Sequence, residues 1–394
     1  MVTLMIFEDD EERYLRPVSL IVPCCEIQCG SSSIRGSIKR LMDICDIKIE
    51  TYALMVRNEL ALLTDISFDR NEYLINPREI DDDVLLVNSR LVPSLNLTEI
   101  VTKMAKGAYC AIVEYSTSKL LLALVPRHLV KKLEPLTLNK IAEIRKLLPY
   151  VYVTGLFILR ELSDLVTLPL RNIRYEIDTV VRMNPSNYVK KRKRVFISKD
   201  AFLEPHVIID DTMGPVLIDG GVYIESGSVL KGPCIISKGA YVRRSMVTNS
   251  IIGPFSTISG VVKHSVISNN VFIGGFSFIS CSYVGSYSII GHKTIVLSKS
   301  KAFRVSLSSN ENTFVKPTGA IVSPFAIVSS GSIIYPNTVV PPLSKIAFTP
   351  FGKESDIRGT KLLNDIRKNL SRISSIIVSL KELRKALDRK TSIP

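Results

Sequence analysis

The chain has 394 residues, of which 46% are hydrophobic and 22% charged. At roughly 100–200 residues per domain this length suggests two or three domains with a substantial core, so no disulfide or metal staple is needed. The apolar content excludes a disordered chain, and no apolar run reaches the 18–20 residues or so of a membrane span. A net charge of +14 favours polyanions in general, nucleotides and sugar phosphates as much as nucleic acid, and selects none of them.

Met1 to Phe7 is apolar and runs into Glu8, Asp9, Asp10, Glu11 and Glu12. A secretory signal needs positive charge first and a longer apolar core, so no signal peptide is expected and the cytoplasm is the expected location. Seven cysteines stand at 24, 25, 29, 45, 110, 234 and 281. Without paired C-x2-C spacing they read as small buried thiols in a reducing compartment; a Cys24/Cys25/Cys29 metal cluster is the alternative, and it lacks an obvious fourth ligand.

In the first half, Val2–Phe7, Ile47–Val56, Val84–Val87, Cys110–Tyr115 and Leu120–Val125 read as buried strands. Ile34–Ile44, Leu97–Ala105 and Leu129–Leu148 carry the three- and four-residue spacing of helices. Strands alternating with helices predict an α/β domain with a largely parallel sheet over residues 1–183. Residues 184–194 hold the basic run Lys190, Lys191, Arg192, Lys193 and Arg194, read as a solvated linker or else as a phosphate- or nucleic-acid-binding patch; the absence of interleaved aromatics other than Tyr188 makes nucleic acid the weaker reading.

Residues 195–349 carry a six-residue period. Aliphatic side chains recur at Ile218, Ile224, Leu230, Ile236 and Val242, and again at Val322, Val328, Ile334, Val340 and Ile346. Four residues after each, the side chain is usually small, as at Ser228, Ala240, Ser256, Ser288 and Ala326. Three flat strands of about six residues make one turn of a triangular prism, with the aliphatic residue inside and the small one at a tight corner. Such a period predicts a hexapeptide parallel β-helix. The long step from Val296 to Val322, with Lys299, Lys301 and Arg304, predicts an extruded loop. Within residues 350–394, Leu363, Ile366, Leu370, Ile373, Ile377 and Leu380 are spaced for a helix, expected either to cap the last β-helix turn or to pair with copies of itself.

The order of α/β domain, hexapeptide β-helix and terminal helix resembles the sugar-1-phosphate nucleotidyltransferase family with a C-terminal left-handed β-helix. The family's best-known member is a bifunctional N-acetylglucosamine-1-phosphate uridyltransferase/glucosamine-1-phosphate acetyltransferase, and the closer likeness is to a divergent branch, the sugar nucleotidyltransferase-like proteins of some bacteria and archaea. The residues that carry it are Phe7-Glu8-Asp9, Leu15-Arg16-Pro17, the stretch from Pro23 to Arg35 with Glu26, Cys29-Gly30 and Arg35, Val87 through Pro93, and Phe351-Gly352-Lys353. The resemblance implies a nucleoside triphosphate and a sugar phosphate as ligands, Mg²⁺ as charge clamp if the transferase is active, and a homotrimer built through the β-helix. It implies Arg35 and Lys39, one helical turn apart, as phosphate holders, Asn88 and Arg90 near the nucleotide or sugar, and Arg16 as a further candidate.

The chain also departs from the family. The Gly-rich phosphate loop is missing, and the Arg of the branch's Thr-Arg-Pro motif is replaced by Val22. Matching Tyr283-Val284-Gly285 to the acetyltransferase turn puts Ser280 where the family has its general-base His, and an unaided Ser is too weak a base. Acetyl transfer is therefore expected to be lost, and a catalytically degenerate nucleotide-sugar-binding or scaffold protein is the alternative to an active nucleotidyltransferase. Asp81, Asp82 and Asp83 point in different directions and read as a solvated turn rather than a metal site; no protein metal ligands are assigned.

Overall fold

In the computed structural model, which describes residues 2–67, 72–105, 110–298 and 319–346, the chain forms an α/β domain seated on a long three-sided β-helix. The extruded loop, the terminal helix and Phe351-Gly352-Lys353 lie outside the described residues, save for the loop's flanks.

The domain's sheet contains β1 (Val2–Phe7), β2 (Thr51–Met55), β3 (Tyr73–Ile75), β4 (Asp83–Asn88), β6 (Ala111–Glu114), β7 (Leu120–Val125) and β8 (Tyr150–Val153). Two short strands, β5 (Leu91–Val92) and β9 (Phe157–Ile158), pair antiparallel beside it. The strand order is β3-β2-β1-β4-β7-β6-β8, and only β7 runs against the rest. β1 and β4 are buried on both faces, which is why they read as unbroken apolar runs rather than alternating ones.

Helices α1 (Ile34–Ile44), α2 (Asn58–Ser67), α3 (Leu95–Ala105), α4 (Arg127–Leu133), α5 (Leu138–Glu143) and α6 (Asp164–Met183) cover the sheet and its flanks. Ser33 caps α1 by accepting the Gly36 amide, and Ile34, Ile38, Leu41 and Met42 bury one face. The single helix expected over Leu129–Leu148 is two helices. Pro135 between them has no N–H to give and its ring would crowd a continuing turn. The strand expected over Ile47–Val56 begins only at Thr51.

The β-helix is as the six-residue period predicts, and left-handed. One face stacks Val195–Ser198, Val216–Ile218, Cys234–Ile236, Ile251–Ile252, Val266–Ile267, Tyr283–Val284, Ile321–Val322 and Val339–Val340 in parallel register. Two further faces complete each coil. The aliphatic column from Ile218 to Val340 is buried throughout. Where the strict period breaks after Val242 and Ile258, Val247 and Val262 fill the third side of shorter coils. The small corner residues also join one coil to the next. Ser256 donates to the Ser268 carbonyl at 2.7 Å and accepts the Val271 amide at 3.0 Å; Ser288 makes the same pair of bonds to the Ser323 carbonyl and the Ala326 amide.

The basic segment expected as a linker is instead a strand, β10 (Tyr188–Arg192), antiparallel to β11 (Val195–Ser198). Lys190, Lys191 and Arg192 are exposed on it. Charged side chains on this outermost strand guard an edge that would otherwise present unpaired backbone to other chains.

The two halves share one core. Outward-facing residues of the first β-helix face (Leu217, Ile235, Ile251, Val266 and Tyr283) join α6 residues Ile173, Ile177 and Val180 in the same apolar cluster as the underside of the sheet.

Candidate functional site

Two places in the fold gather the residues of interest. The first is the carboxyl end of the sheet between β1 and β4. Chain connections lead away from this pair in opposite directions, and in open α/β sheets such a switch point opens a ligand crevice. Here it is filled with paired charge. Glu8 follows β1 and is 2% exposed; it accepts the Cys24 amide at 2.9 Å and the Arg57 amide at 3.0 Å. Asp9 grips Arg90 with both oxygens, at 2.8 Å from Nε and 2.5 Å from Nη2. Asn88 donates to the same Asp9 carboxylate at 2.8 Å and accepts the Arg90 amide at 2.9 Å.

Arg90 is 1% exposed. Burial alone would lower its pKa, and the hydrogen bonds and charge of Asp9 reverse that, holding the guanidinium above its ordinary range. Glu12, also buried, joins Arg16 at 2.6 Å, Ser19 at 2.9 Å and the Arg57 guanidinium. Asn88 and Arg90 are thus committed to holding the β1 loop against β4, and Arg16 is tied to Glu12 with its side chain part-exposed at the rim.

Mg²⁺ finds no fit among these residues. The switch-point carboxylates are each engaged by arginines or backbone amides, and among the described residues no group of three or more His, Cys, Asp or Glu could hold a metal ion. Asp81, Asp82 and Asp83 stand at the start of β4, the far end of the strand. Asp81 pairs with Arg127 and Lys131 there, and the hydrogen bonds from Arg127 and Lys131 pull its pKa down to about 2. The three cysteines 24, 25 and 29 are buried in the apolar cluster, and burial pushes their thiols up.

The second place is a cleft of about 880 Å³ between the α/β domain and the β-helix. Arg35, in the first turn of α1, lines it. Its guanidinium donates to Glu26 at 2.5 Å and to the Tyr73 hydroxyl at 2.7 Å. Burial opposes this charge, but the Glu26 bond and charge win, and the Arg35 pKa rises. Lys39 stands one turn later, 2.7 Å from Glu72 and 4.8 Å above the Tyr52 ring, and the Glu72 bond raises its pKa. Tyr52 and Tyr73 are themselves in contact, ring centroids 5.5 Å apart. The structure therefore brings Arg35 and Lys39 to one face of α1, over one aromatic pair, as their spacing predicts. Val22, at the position of the family's Arg, and Glu26 are also in the cleft wall.

Behind this wall, Gly30 sits at φ +119°, where a Cβ would meet the Glu176 carboxyl carbon at 2.9 Å. Glu176 on α6 needs that approach: it accepts Ser31 Oγ at 2.6 Å and the Ser31 amide at 3.1 Å, and pairs with Arg40. The loop that shapes the cleft is fastened to α6 by this one carboxylate.

The opposite wall comes from a β-helix corner and was not read from the sequence. Phe255, Tyr287 and Phe325 line the cleft beside Asn270 and Leu343. Their signal was available, since each stands three residues after an interior aliphatic (Ile252, Val284 and Val322), where Gly or Asn is usual.

Ser280 lies on another corner. Its hydroxyl is 3.0 Å from that of Ser298 and 3.7 Å from the Cys281 sulfur. His264 bonds Asn249 at 2.8 Å and His292 accepts the Gly275 amide at 2.8 Å, so both serve as corner residues.

Residues 4–183 match the family model described as sugar nucleotidyl transferase. Over 314 residues the chain is 22% identical to the bifunctional protein GlmU of Buchnera aphidicola subsp. Baizongia pistaciae (strain Bp), a match covering 74% of this chain and 65% of that protein. The chain thus matches less than two thirds of that relative's length.

Proposed function

From the match of residues 4–183 to the sugar nucleotidyl transferase model, we propose that this chain joins a nucleoside triphosphate to a sugar 1-phosphate. In that reaction an oxygen of the sugar phosphate attacks the α-phosphorus, a new P–O–P link forms, and pyrophosphate leaves. The observation that carries the reading is the position of Arg35, lining an open cleft with Lys39 one turn beyond it on the same face of α1, within the domain that the family model matches. Each cation now holds a carboxylate, Glu26 or Glu72. An entering phosphate would take over those bonds, and a planar guanidinium can grip it through two parallel hydrogen bonds.

Purified protein supplied with common triphosphates in Mg²⁺ buffer and a panel of sugar 1-phosphates is expected to release pyrophosphate, with Arg35→Ala at least tenfold slower. Absence of pyrophosphate from every pair would overturn the reading. One specific observation favours a second: Val22 stands where the motif carries Arg, and the switch-point charges are sealed by their own partners. On this second reading the chain binds nucleotide sugars without turnover, which calorimetric binding in the absence of pyrophosphate release would establish.

The rest of the chain supports an assembly role. Phe202, Tyr223, Phe272, Ile289 and Ile327 form an exposed outward stripe on one β-helix face, and Ile208, Ile295 and Ile333 another. Apolar stripes on two flat sides suit side-by-side packing of copies, and we read the protein as a homotrimer. The seven free thiols suit a cytoplasmic setting, and among the described residues no helix is long and apolar enough to cross a membrane. With Ser280 facing Ser298, acetyl transfer from acetyl-coenzyme A is expected to stay at background.

A further inference from the structure

The corner of the β-helix that faces the cleft gathers three exposed aromatic rings at positive φ, where the other described corners carry one, Phe276. Down this column stand Gly221, Gly239, Phe255, Asn270, Tyr287, Phe325 and Leu343, one per coil, each with φ between +54° and +67°. The left-handed conformation suits Gly and Asn and is disfavoured for large side chains. On the other corners Gly227, Asn249, Gly331 and Asn337 respect this, while His206, Arg244, His264, Phe276, Cys281 and Lys293 do not, and only Phe276 among them carries a phenyl ring. On the cleft corner three aromatic rings take the disfavoured backbone and remain open to solvent: Phe255 is 59% exposed, Tyr287 51% and Phe325 40%. Such placement buries little apolar area, so core packing does not explain it.

Tyr287 and Phe325 already stack, their centroids 5.0 Å apart and their planes within 8°. Adjacent coils are hydrogen-bonded strands, about 4.8 Å apart. The ladder therefore has rings on successive coils at Tyr287 and Phe325, with Leu343 on the coil after them. Between Phe255 and Tyr287 it skips a coil, where Asn270 stands instead. Two coils separate the Phe255 and Tyr287 backbones there by roughly 9.6 Å, and the Phe255 ring lies toward Gly239 on the coil before it. A flat ring one coil from Tyr287 would lie about 4.8 Å from it, close to the Tyr287–Phe325 spacing, with the Phe255 ring on its other side. Asn270 would sit at its edge, offering an amide that both donates and accepts.

We propose that this vacant rung is a nucleobase slot, so that the β-helix reads the base of a nucleotide whose phosphates face Arg35 across the cleft. A base has two π-faces for the neighbouring rings and a donor–acceptor edge for Asn270, and stacking of this kind is tolerant of base identity. The proposal rests on the reading of the α/β domain as nucleotide-handling, and it gives the β-helix a part in ligand binding beyond assembly.

The test is calorimetric binding of uridine 5′-triphosphate, adenosine 5′-triphosphate, inorganic tripolyphosphate and glucose 1-phosphate to the full chain. The wild type is expected to bind the nucleotides about tenfold or more tighter than tripolyphosphate, a difference that base stacking supplies. Asn270→Phe fills the rung with a protein ring and should erase that preference while leaving tripolyphosphate affinity in place. Tyr287→Ala should weaken it several-fold, and Phe276→Ala, an 87% exposed ring on another corner, should change nothing. A preference untouched by both Asn270→Phe and Tyr287→Ala would overturn the slot and leave the domain reading standing. If neither nucleotide binds at all, both fall. If Asn270→Phe abolishes glucose 1-phosphate binding and no preference for nucleotides exists, the rung holds a sugar ring and the base assignment is wrong.

Discussion

Arg90 and Asp9 show why a polar residue next to a buried strand is not by itself a ligand residue. Removing one member of a buried, doubly hydrogen-bonded pair leaves the other charge unpaired, at a cost of about 3–5 kcal/mol. Arg90→Ala and Asp9→Ala should each lose that much in urea unfolding, and Asp9→Leu combined with Arg90→Met much less than the sum. Glu114 gives a pH test. Burial would raise its pKa, but hydrogen bonds from Thr117 and Arg160 outweigh that and hold it below its ordinary 4.5. A folded-state pKa below the unfolded one adds stability that is full above the ordinary carboxylate range and lost as pH falls through the folded value. The stability gap between wild type and Glu114→Gln should therefore shrink as the pH is lowered below 4.5, read by denaturant midpoints. The role of Asn88 and Arg90 was hidden in the sequence because their partner Asp9 lies 79 and 81 positions away, a contact no local pattern encodes. Arg35 and Lys39 were legible because their relation is helical and local.

Among the elements, periodicity decided what could be read. The β-helix and α1 carry their patterns in side chains that all face one core, so the strand period and the helix period appear directly in the sequence. Helix α6 went unread, for it contains Pro169 and its apolar residues serve two partners at once, the sheet domain and the β-helix. The Leu129–Leu148 pattern failed for the opposite reason: the spacing continued through Pro135 although the backbone could not. Each coil of the β-helix rests on its neighbours, so a cavity in the middle should be felt at full cost. Ile252→Ala, in a position with no exposure, is expected to lose about 2–5 kcal/mol, seen as a lowered denaturant midpoint. Thiol chemistry should report the same packing. Cys45, Cys110 and Cys281 are part-exposed and should react with an aromatic disulfide reagent in the native protein, while Cys24, Cys25, Cys29 and Cys234 are buried and should react only on unfolding.

At the scale of the molecule, the question is whether the two halves fold as one. Neither half closes its core alone. The first β-helix face would expose Ile235, Ile251, Val266 and Tyr283 without α6, and the sheet domain would lose the surface beneath Ile173 and Ile177. The cleft depends on this contact, since Arg35 stands on one side of it and Tyr287 on the other. A single cooperative unfolding transition is therefore expected, with far-ultraviolet and near-ultraviolet signals changing together. Ile251→Asp with Val266→Asp places two unpaired carboxylates under α6, where desolvation is costly. It should split that transition in two, leaving a β-helix that melts late and an α/β domain that melts early, and it should abolish nucleotide binding while the late transition stays in place. Coincident melting in the double variant would mean that the halves are coupled by something other than this apolar face, and the cleft could no longer be credited to it.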